Sequence, residues 1–319
     1  MGPGPPGGGR GSGRDRGRRG GVPRRGGGPP AVAREGGVRA VDLVTVTDLH
    51  RPRERADVHA ALLAGAMPLA GGTALHGERH EHLAGLVDLV DLGWPDLEVL
   101  PDGDLRAAAT ASLRTVLDHP LTAPIRPFLH DTFSCLLASW KIWSRGTWGG
   151  NLCAALPAGA GTAAACTLGA VAEIWTPNGD TRTVPAAGFV NGPGTTVLAP
   201  GEVLRALRIP ASSLTARYAV RRNSLVPSGR SASLVTGRLD PGGRCTLVVT
   251  AAVPAPEVLT WAVPPSPAEA TEAVRALPHW YSDPQGDPRW RRHVAGLAAA
   301  AVTAELATTL AATRGEETR

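Results

Sequence analysis

Two glycine-rich stretches decide the fold: LAGGTAL at 69–75 and KIWSRGTWGGNLCAALPAG at 141–159. Paired glycines lack Cβ atoms, so their backbone amides can approach a phosphate group and can adopt a positive φ. Either stretch alone is typical of an ordinary tight turn. Two such stretches, separated by a domain-sized interval, favour a shared cleft that binds a diphosphate, although the spacing does not identify the ligand.

Two polar side chains in these stretches are candidate ligand contacts. Thr73 adds a hydroxyl donor to the first stretch. Asn151 can both donate and accept a hydrogen bond, so it suits a ribityl chain or a phosphate. The sequence therefore predicts that backbone amides and a few neutral side chains form the site.

The residues around the first stretch predict a small α/β unit. Strands are expected over 41–46, 67–70 and 86–92, and a helix over 53–66, where charged residues alternate with Ala and Leu at helical spacing. The first glycine stretch lies directly after the second of these strands. That position is typical of a binding loop.

The remaining chain predicts two further α+β segments. In the first, from about Val99, strands are expected over 105–111, 172–176, 182–184 and 203–209, and helices over 112–121, 133–143 and 163–168. Ser112 is expected to cap the first of these helices. In the second, strands of mixed direction are expected over 218–221, 231–236 and 245–253, and helices over 267–277 and 287–311.

The charge of the chain is concentrated at its N-terminus. The net charge is +5, but residues 1–40 contain nine Arg and only two acidic residues, so the rest carries about −2. No specific nucleic-acid surface is therefore expected. Residues 1–37 are predicted to be a disordered Gly/Arg/Pro-rich tail, with a second tail at 313–319. A true start near Val38 or Val41 is an alternative to a native tail.

Cysteine usage and hydropathy indicate a reducing compartment. The four cysteines lie too far apart in sequence for a CxxC pair, an iron–sulfur cluster or a structural zinc site. The N-terminus lacks the apolar region of a signal peptide, and the Ala-rich run at 295–312 is too polar to span a bilayer. We therefore expect a cytoplasmic protein without a membrane span.

Three other motifs are interpreted as structural. The GxGxxG match at 2–7 has no strand before it and prolines at its turn, so it is rejected as a dinucleotide site. His76, His80 and His82 lack a completing Cys or carboxylate, so no metal site is predicted. Ser231 lacks the second glycine of a nucleophile elbow and is expected to be a strand residue.

The order of several motifs resembles the flavoprotein subunit of the xanthine dehydrogenase and aerobic carbon monoxide dehydrogenase family of molybdenum hydroxylases. The motifs are LAGGTAL (69–75), the glycine stretch at 141–159, VLAPGEVL (197–204) and GRSASLVTGRL (229–239). The similarity extends over residues 40–312. The pair AGGT and TxGGN is far more specific than either half.

The resemblance implies an α+β fold of the p-cresol methylhydroxylase type with bound FAD. Two FAD-binding subdomains are expected at 38–98 and 99–212, followed by a C-terminal α/β domain at 213–312. By similarity, the diphosphate would contact Ala70, Gly71, Gly72, Thr73, Ala74 and Leu75. The flavin would lie along Ala109, Thr110 and Ala111, and the ribityl and diphosphate side would contact Thr147, Gly149, Gly150 and Asn151. Arg222 would reach the flavin ring.

The sequence departs from the family pattern at three positions. Ala74 replaces a frequent acid, Trp143 a frequent Arg, and Ala160 a frequent Asp. Each loss of a charge-assisted hydrogen bond costs about 1.5–3 kcal/mol. We expect FAD binding to be retained through the backbone amides, but to be weaker.

Three tryptophans surround the second glycine stretch: Trp140, Trp143 and Trp148. They are interpreted either as core residues, or as groups that stack near a flavin or face a partner subunit. The sequence leaves both interpretations open.

The resemblance also implies partners. By the resemblance, a molybdopterin-containing large subunit and a [2Fe–2S] small subunit are expected to supply electrons to FAD, because this chain has neither the cysteines for the clusters nor the length for a molybdopterin domain. No catalytic acid, base or nucleophile is predicted in this chain. The substrate, the final acceptor and the stoichiometry stay open. The alternatives are a stand-alone flavin oxidoreductase of the same fold, and a non-catalytic scaffold that has lost FAD or whose tail binds nucleic acid.

Overall fold

The computed structural model describes residues 1–2, 4, 43–77 and 80–317, with side chains described up to residue 308. The chain divides into two compact units, residues 1–39 and residues 40–319. The predicted tail at 1–37 falls almost wholly outside the described residues. So do the first two residues of the strand predicted at 41–46, and the rest of that segment forms a turn.

The first part of the larger unit is a three-stranded parallel sheet, the N-terminal sheet. It comprises β1 (Asp48–His50), β2 (Met67–Leu69) and β3 (Gly85–Asp88) in the order β1-β3-β2, with helix α1 (Arg55–Leu63) between β1 and β2. The apolar face of α1 packs Val58 against Val87. The strand expected over 86–92 is shorter than predicted, because a 3₁₀ turn replaces it from Val90.

A five-stranded antiparallel sheet, the central sheet, forms the middle of the molecule. Its strands are β4 (Leu97–Val99), β5 (Leu105–Ala108), β6 (Val171–Trp175), β7 (Thr181–Pro185) and β10 (Val203–Ile209), in the order β4-β5-β10-β6-β7. The short strands β8 (Val190–Gly192) and β9 (Thr195–Thr196) form a separate ribbon. The hairpin predicted around 172–184 and the strand at 203–209 are confirmed.

Five helices pack around this sheet over the largest apolar core of the chain. They are α2 (Leu113–Asp118), α3 (Arg126–Ser134), α4 (Trp140–Arg145), α5 (Trp148–Cys153) and α6 (Ala160–Thr167). Ser112 caps α2 as predicted: its hydroxyl accepts a hydrogen bond from the Thr115 amide. Phe133 and Trp148 are fully buried in this core and meet edge to face.

The single helix predicted over 133–143 is wrong. The chain instead ends α3 at Ser134 and begins α4 at Trp140, and Leu137 between them adopts a left-handed φ of 53°. A β-carbon makes that conformation unfavourable, so packing must enforce it. Burial of Phe133 in the core and exposure of Trp140 show that the two halves face different environments.

A four-stranded sheet, the C-terminal sheet, completes the fold. Its strands are β11 (Arg217–Asn223), β12 (Ser233–Leu239), β13 (Cys245–Thr250) and β14 (Glu257–Trp261), paired in sequence order. All three pairings are antiparallel, so the prediction of mixed strands is wrong. Local hairpin connections explain this, because parallel pairing requires a crossover. The sequence prediction also missed β14.

Two helices cover the C-terminal sheet: α7 (Pro267–Arg275) and α8 (Pro288–Glu317). Ser266 and Glu269 form a reciprocal capping box at the start of α7. The predicted helix at 287–311 is confirmed, but the backbone continues as helix into the segment predicted to be a tail at 313–319. Within the described ranges, no helix has both the length and the apolar character that a membrane crossing requires.

Arg291 fixes α8 to the C-terminal sheet. The residue is 1% exposed and forms an ion pair with Asp283. Its guanidinium also donates to the carbonyls of Ala232, Ala251 and Gly286. A hydrogen-bonded guanidinium therefore lies where an aliphatic residue would normally be expected.

We expect Arg291→Met to lower the free energy of unfolding by about 3–5 kcal/mol, because it leaves Asp283 and three carbonyls without their donor. Arg289→Met is the matched control, since Arg289 is exposed on the same helix turn. Urea denaturation of both variants measures the difference. Equal midpoints for the two variants would contradict this role of Arg291.

Candidate functional site

The first glycine loop, residues 70–75, follows the carboxyl end of β2. The amides of residues 71–74 donate no hydrogen bond to any described residue, whereas the loop is closed by the His76 amide, which donates to the Gly72 carbonyl. Gly72 has a φ of +68°. Successive amides without internal partners, in a turn of this kind, form a concave site for an anion.

The second glycine loop, residues 146–151, begins α5. The Thr147 hydroxyl caps this helix by accepting a hydrogen bond from the Gly150 amide at 3.0 Å. Trp148 is fully buried, and its indole N–H donates to the Gly161 carbonyl at 2.8 Å. The buried Trp148 side chain therefore anchors the second glycine loop to the core, while Gly150 remains exposed.

The two glycine loops meet at the segment joining α4 to α5. A Cβ atom on Gly71 would lie 1.8 Å from the Arg145 carbonyl oxygen, and one on Gly146 would lie 3.3 Å from the Thr73 hydroxyl oxygen. The structure thus brings together the two stretches that sequence analysis placed in one cleft. Trp143 does not enter the contact, because it packs beside Phe133 with ring centroids 6.3 Å apart.

Residues 109–111 support the second glycine loop. The Gly149 amide donates to the Ala109 carbonyl at 3.2 Å, and the Trp148 amide donates to the Ala111 carbonyl at 2.9 Å. Ala109 and Ala111 are buried, so only Thr110 of this segment is partly exposed. The predicted contact strand is therefore adjacent to the loops, with most of its side chains facing the core.

Asn151 has an internal partner that the sequence did not predict. Its side-chain oxygen accepts a hydrogen bond from the Gly161 amide at 2.8 Å and so links the second glycine loop to the start of α6. Gly161 also accepts the Trp148 indole N–H, so three residues close a small internal network. The side-chain oxygen of Asn151 is engaged here, and its amide nitrogen has no partner among the described residues.

Arg222 does not reach the glycine loops through its hydrogen bonds. Its guanidinium donates to the Ser231 hydroxyl at 3.0 Å and to the carbonyls of Pro227 and Gly229. It also lies close to Cys135, whose pKa burial raises to about 11 while Arg222 opposes the rise. In this arrangement Arg222 fixes the 224–230 loop beside the turn between α3 and α4.

The motif VLAPGEVL has a structural role in this chain. Glu202 accepts two hydrogen bonds from Arg182, at 2.7 and 2.6 Å, and one from the Ala199 amide at 2.8 Å. The Arg182 guanidinium, helped by the Ala199 amide, holds the pKa of Glu202 below its usual value. The motif therefore fixes the entry into β10.

The donor set suits a diphosphate and disfavours a metal. Residues 70–75 and 146–151 contain no acidic side chain, and the groups they present are amides, a threonine hydroxyl and an asparagine. Among the described residues, no cluster of three His, Cys, Asp or Glu side chains is placed to hold a metal ion. A Cβ at Gly71 or Gly149 would fill the space between backbone segments, which accounts for glycine at both positions.

Fold and loops together define a class of protein: an α+β domain in which two glycine loops meet where its first two sheets adjoin. A family model described as the FAD binding domain in molybdopterin dehydrogenase matches residues 44–212, more than half of the chain. The chain belongs to this family. Its cofactor is accordingly FAD, and the fold expected from the sequence is confirmed.

Curated relatives agree with this membership. The chain is 34% identical over 183 residues to the carbon monoxide dehydrogenase medium chain of Afipia carboxidovorans, covering 55% of this chain and 62% of the relative. It is 29% identical over 165 residues to the putative xanthine dehydrogenase FAD-binding subunit of Escherichia coli, covering 48% and 55%. The match therefore spans less than two thirds of either relative.

Solved structures share the fold over most of the chain. A crystal structure of the Cu,Mo-CO dehydrogenase superimposes with a TM-score of 0.72 at 27% identity, covering 81% of this chain and 96% of that chain. Quinoline 2-oxidoreductase from Pseudomonas putida gives a TM-score of 0.71 at 22% identity, covering 83% and 97%, which is a likeness of fold alone. The C-terminal sheet therefore belongs to the shared architecture.

The internal role of Asn151 can be tested without any ligand. We expect Asn151→Leu to lower the free energy of unfolding of the FAD-free chain by about 1–3 kcal/mol, because the buried Gly161 amide loses its acceptor. Asn151→Asp keeps an accepting oxygen and should lose less. Denaturation of the FAD-free proteins measures both, and unchanged stability of Asn151→Leu would contradict the internal role.

The close approach of Gly71 to Arg145 predicts a defect in FAD affinity. Gly71→Ala places a methyl group against the Arg145 carbonyl and forces the glycine loops apart. We expect the Kd for FAD to rise by at least about tenfold, equivalent to about 1.4 kcal/mol. Gly77→Ala is the matched control, because a Cβ there meets no atom within 4 Å. Titration calorimetry compares them, and equal Kd values would exclude this mechanism.

Proposed function

We propose that this chain is the FAD-binding electron-transfer subunit of a molybdenum-dependent hydroxylase in the cytoplasm. The convergence of two glycine loops without acidic side chains is the observation that carries the proposal. When bound, FAD supplies the redox chemistry, and the protein supplies binding, orientation and electrostatics. Residues 38–98 and 99–212 would form the FAD-binding subdomains, and 213–312 the C-terminal domain.

The backbone of the first glycine loop would bind the diphosphate. The amides of residues 71–74 have no partner among the described residues, which leaves them free to donate to the phosphates, and Thr73 lies at the contact between the loops. Ala70, Ala74 and Leu75 would contribute backbone groups only. Since no cation of the loops takes part, binding rests on oriented N–H dipoles, which need no counter-charge within the protein.

The second glycine loop and its support would hold the ribityl and diphosphate side of the cofactor. Gly150 is exposed there, and the amide nitrogen of Asn151 has no partner among the described residues. Thr147 and Gly149 are buried and hydrogen-bonded within the protein, so they would shape the loop against which the cofactor lies. Thr110 is the one partly exposed side chain of the 109–111 segment, so it would lie along the flavin. Arg222 would reach the flavin ring only by releasing some of its bonds to the 227–231 segment.

Partners are proposed because the chain lacks cluster ligands of its own. All four cysteines are free, and Cys135, Cys166 and Cys245 are buried thiols whose pKa values burial raises. A [2Fe–2S] cluster needs four ligands from cysteines brought close together. A separate [2Fe–2S] subunit and a molybdopterin-containing subunit would therefore supply the electrons.

The absorption spectrum of the purified chain tests cofactor binding first. Bands near roughly 375 and 450 nm are expected of a bound oxidised flavin, by the chemistry of the cofactor. A colourless chain that stays colourless after incubation with FAD would overturn the proposal in favour of a scaffold that has lost the cofactor.

Elemental analysis of the protein isolated from its own host tests the subunit role. The proposal predicts that molybdenum and iron co-purify with the chain in fixed ratio to FAD. A stand-alone flavin oxidoreductase of the same fold would instead carry FAD with neither metal. That result would agree with the proposed FAD site but would contradict the proposed association with molybdenum and iron–sulfur subunits.

A further inference from the structure

Arg205, in β10, is a partly buried arginine outside both glycine loops. Its side chain has no ion-pair or hydrogen-bond partner among the described residues, and its Nη1 is buried without one. Instead the guanidinium lies over the ring of Trp94, 4.4 Å from the centroid, and 5.8 Å from that of Trp175. A cation screened from water in this way is stabilised by the quadrupoles of the aromatic rings.

The pair formed by Trp94 and Trp175 also contacts the first residue of α1. Trp94 and Trp175 meet edge to face at 5.1 Å, and the Arg55 guanidinium lies 4.9 Å from the Trp175 ring centroid. Arg55 further donates to the Thr176 carbonyl at 3.3 Å. These four residues, Arg55, Trp94, Trp175 and Arg205, form a cation–π cluster that connects the N-terminal sheet to the central sheet.

Arg205 is the extra residue of a β-bulge. The register between β10 and β6 shifts between Leu204 and Ala206, which leaves Arg205 without a residue opposite it. A bulge locally redirects the backbone and increases the twist of its strand. Here the redirected Arg205 carbonyl accepts a hydrogen bond from the Ala109 amide at 3.0 Å, just beyond the end of β5.

Ala109 carries this constraint to the second glycine loop. Its carbonyl accepts the Gly149 amide, and a Cβ on Gly149 would lie 2.4 Å from the Ala109 Cβ. A continuous path of contacts therefore runs from the two indole rings through Arg205 and Ala109 to Gly149. A shift of the Arg205 backbone would therefore also move Ala109 and Gly149, because a packed interior leaves little free volume to absorb the shift.

We infer that Arg205 is a positioning residue for the flavin cleft: its guanidinium, held by Trp94 and Trp175, fixes the bulge that sets Ala109 and the second glycine loop. The link to cofactor affinity rests on the proposed function. The coupling between Arg205 and Ala109 does not, because it is a property of the chain without ligand.

The test compares Arg205→Met, Arg205→Lys and the control Arg221→Met. Methionine keeps length and removes the charge, whereas lysine retains a cation over the rings. Arg221 lies in β11 of the C-terminal sheet and pairs with Glu305, outside the central sheet. Hydrogen–deuterium exchange over residues 105–111 of the FAD-free protein, and the Kd for FAD, are measured for each.

Arg205→Met should speed exchange over 105–111 by about tenfold and weaken FAD binding by about tenfold, as expected for loss of a desolvated cation–π contact. Arg205→Lys should recover most of both losses. Arg221→Met should leave exchange over 105–111 and the Kd within about twofold of native. Should Arg205→Met fail to fold, Trp94→Leu removes the same contact from the other side and should give the same two changes.

Unchanged exchange over 105–111 in Arg205→Met, or an equal increase in Arg221→Met, would overturn the inference. If the native chain binds no FAD, the proposed function fails, and the exchange measurement alone still decides the coupling. If exchange increases while the Kd stays native, Arg205 holds the strand but does not position the cleft, which also overturns the inference.

Discussion

Gly71 approaches the Arg145 carbonyl so closely that a Cβ atom would lie 1.8 Å from it, and Gly149 approaches Ala109 in the same manner. These two backbone contacts set the cleft on which the rest of the structure depends. Each requires a residue without a side chain, since no rotamer could relieve a clash between a Cβ and a backbone atom. The N-terminal sheet presents the first loop, and the contact places the amides of residues 71–74 beside the second loop, whose own amides are largely hydrogen-bonded within the protein.

Polar and charged groups around the cleft mostly serve the scaffold. Arg106 pairs with Glu173, Arg182 with Glu202, and Arg208 with Asp104. The first pair joins β5 to β6 across β10, and the other two join a strand of the central sheet to a loop, where partial burial makes an unpaired charge costly. Neither glycine loop carries an acidic side chain, so in the proposed function oriented amides would supply the positive potential for the diphosphate. Rigid support would then be the main requirement for FAD affinity, because dipoles act over short distances.

Two of the residues that the sequence predicted as cofactor contacts also serve the scaffold. Asn151 and Arg222 are polar residues near the expected cofactor path, yet Asn151 accepts the Gly161 amide and Arg222 binds the 227–231 segment. A buried amide left without an acceptor costs free energy, so a nearby side chain that satisfies it stabilises the loop in the absence of cofactor. Asn151 and Arg222 therefore stabilise the FAD-free fold, in addition to the cofactor contacts proposed for them.

The sequence by itself determined the elements with a strong local signal. The glycine loops, the Ser112 cap, the 172–184 hairpin and the family follow from residue types at fixed spacing. The Leu137 turn, the antiparallel pairing of the C-terminal sheet and β14 do not, because each depends on packing between distant segments. The burial of Arg291 and the cation–π cluster around Arg205 are likewise decided only in the folded chain. The free energy of a buried guanidinium depends on the groups that surround it, and those groups come from segments that are distant in the sequence.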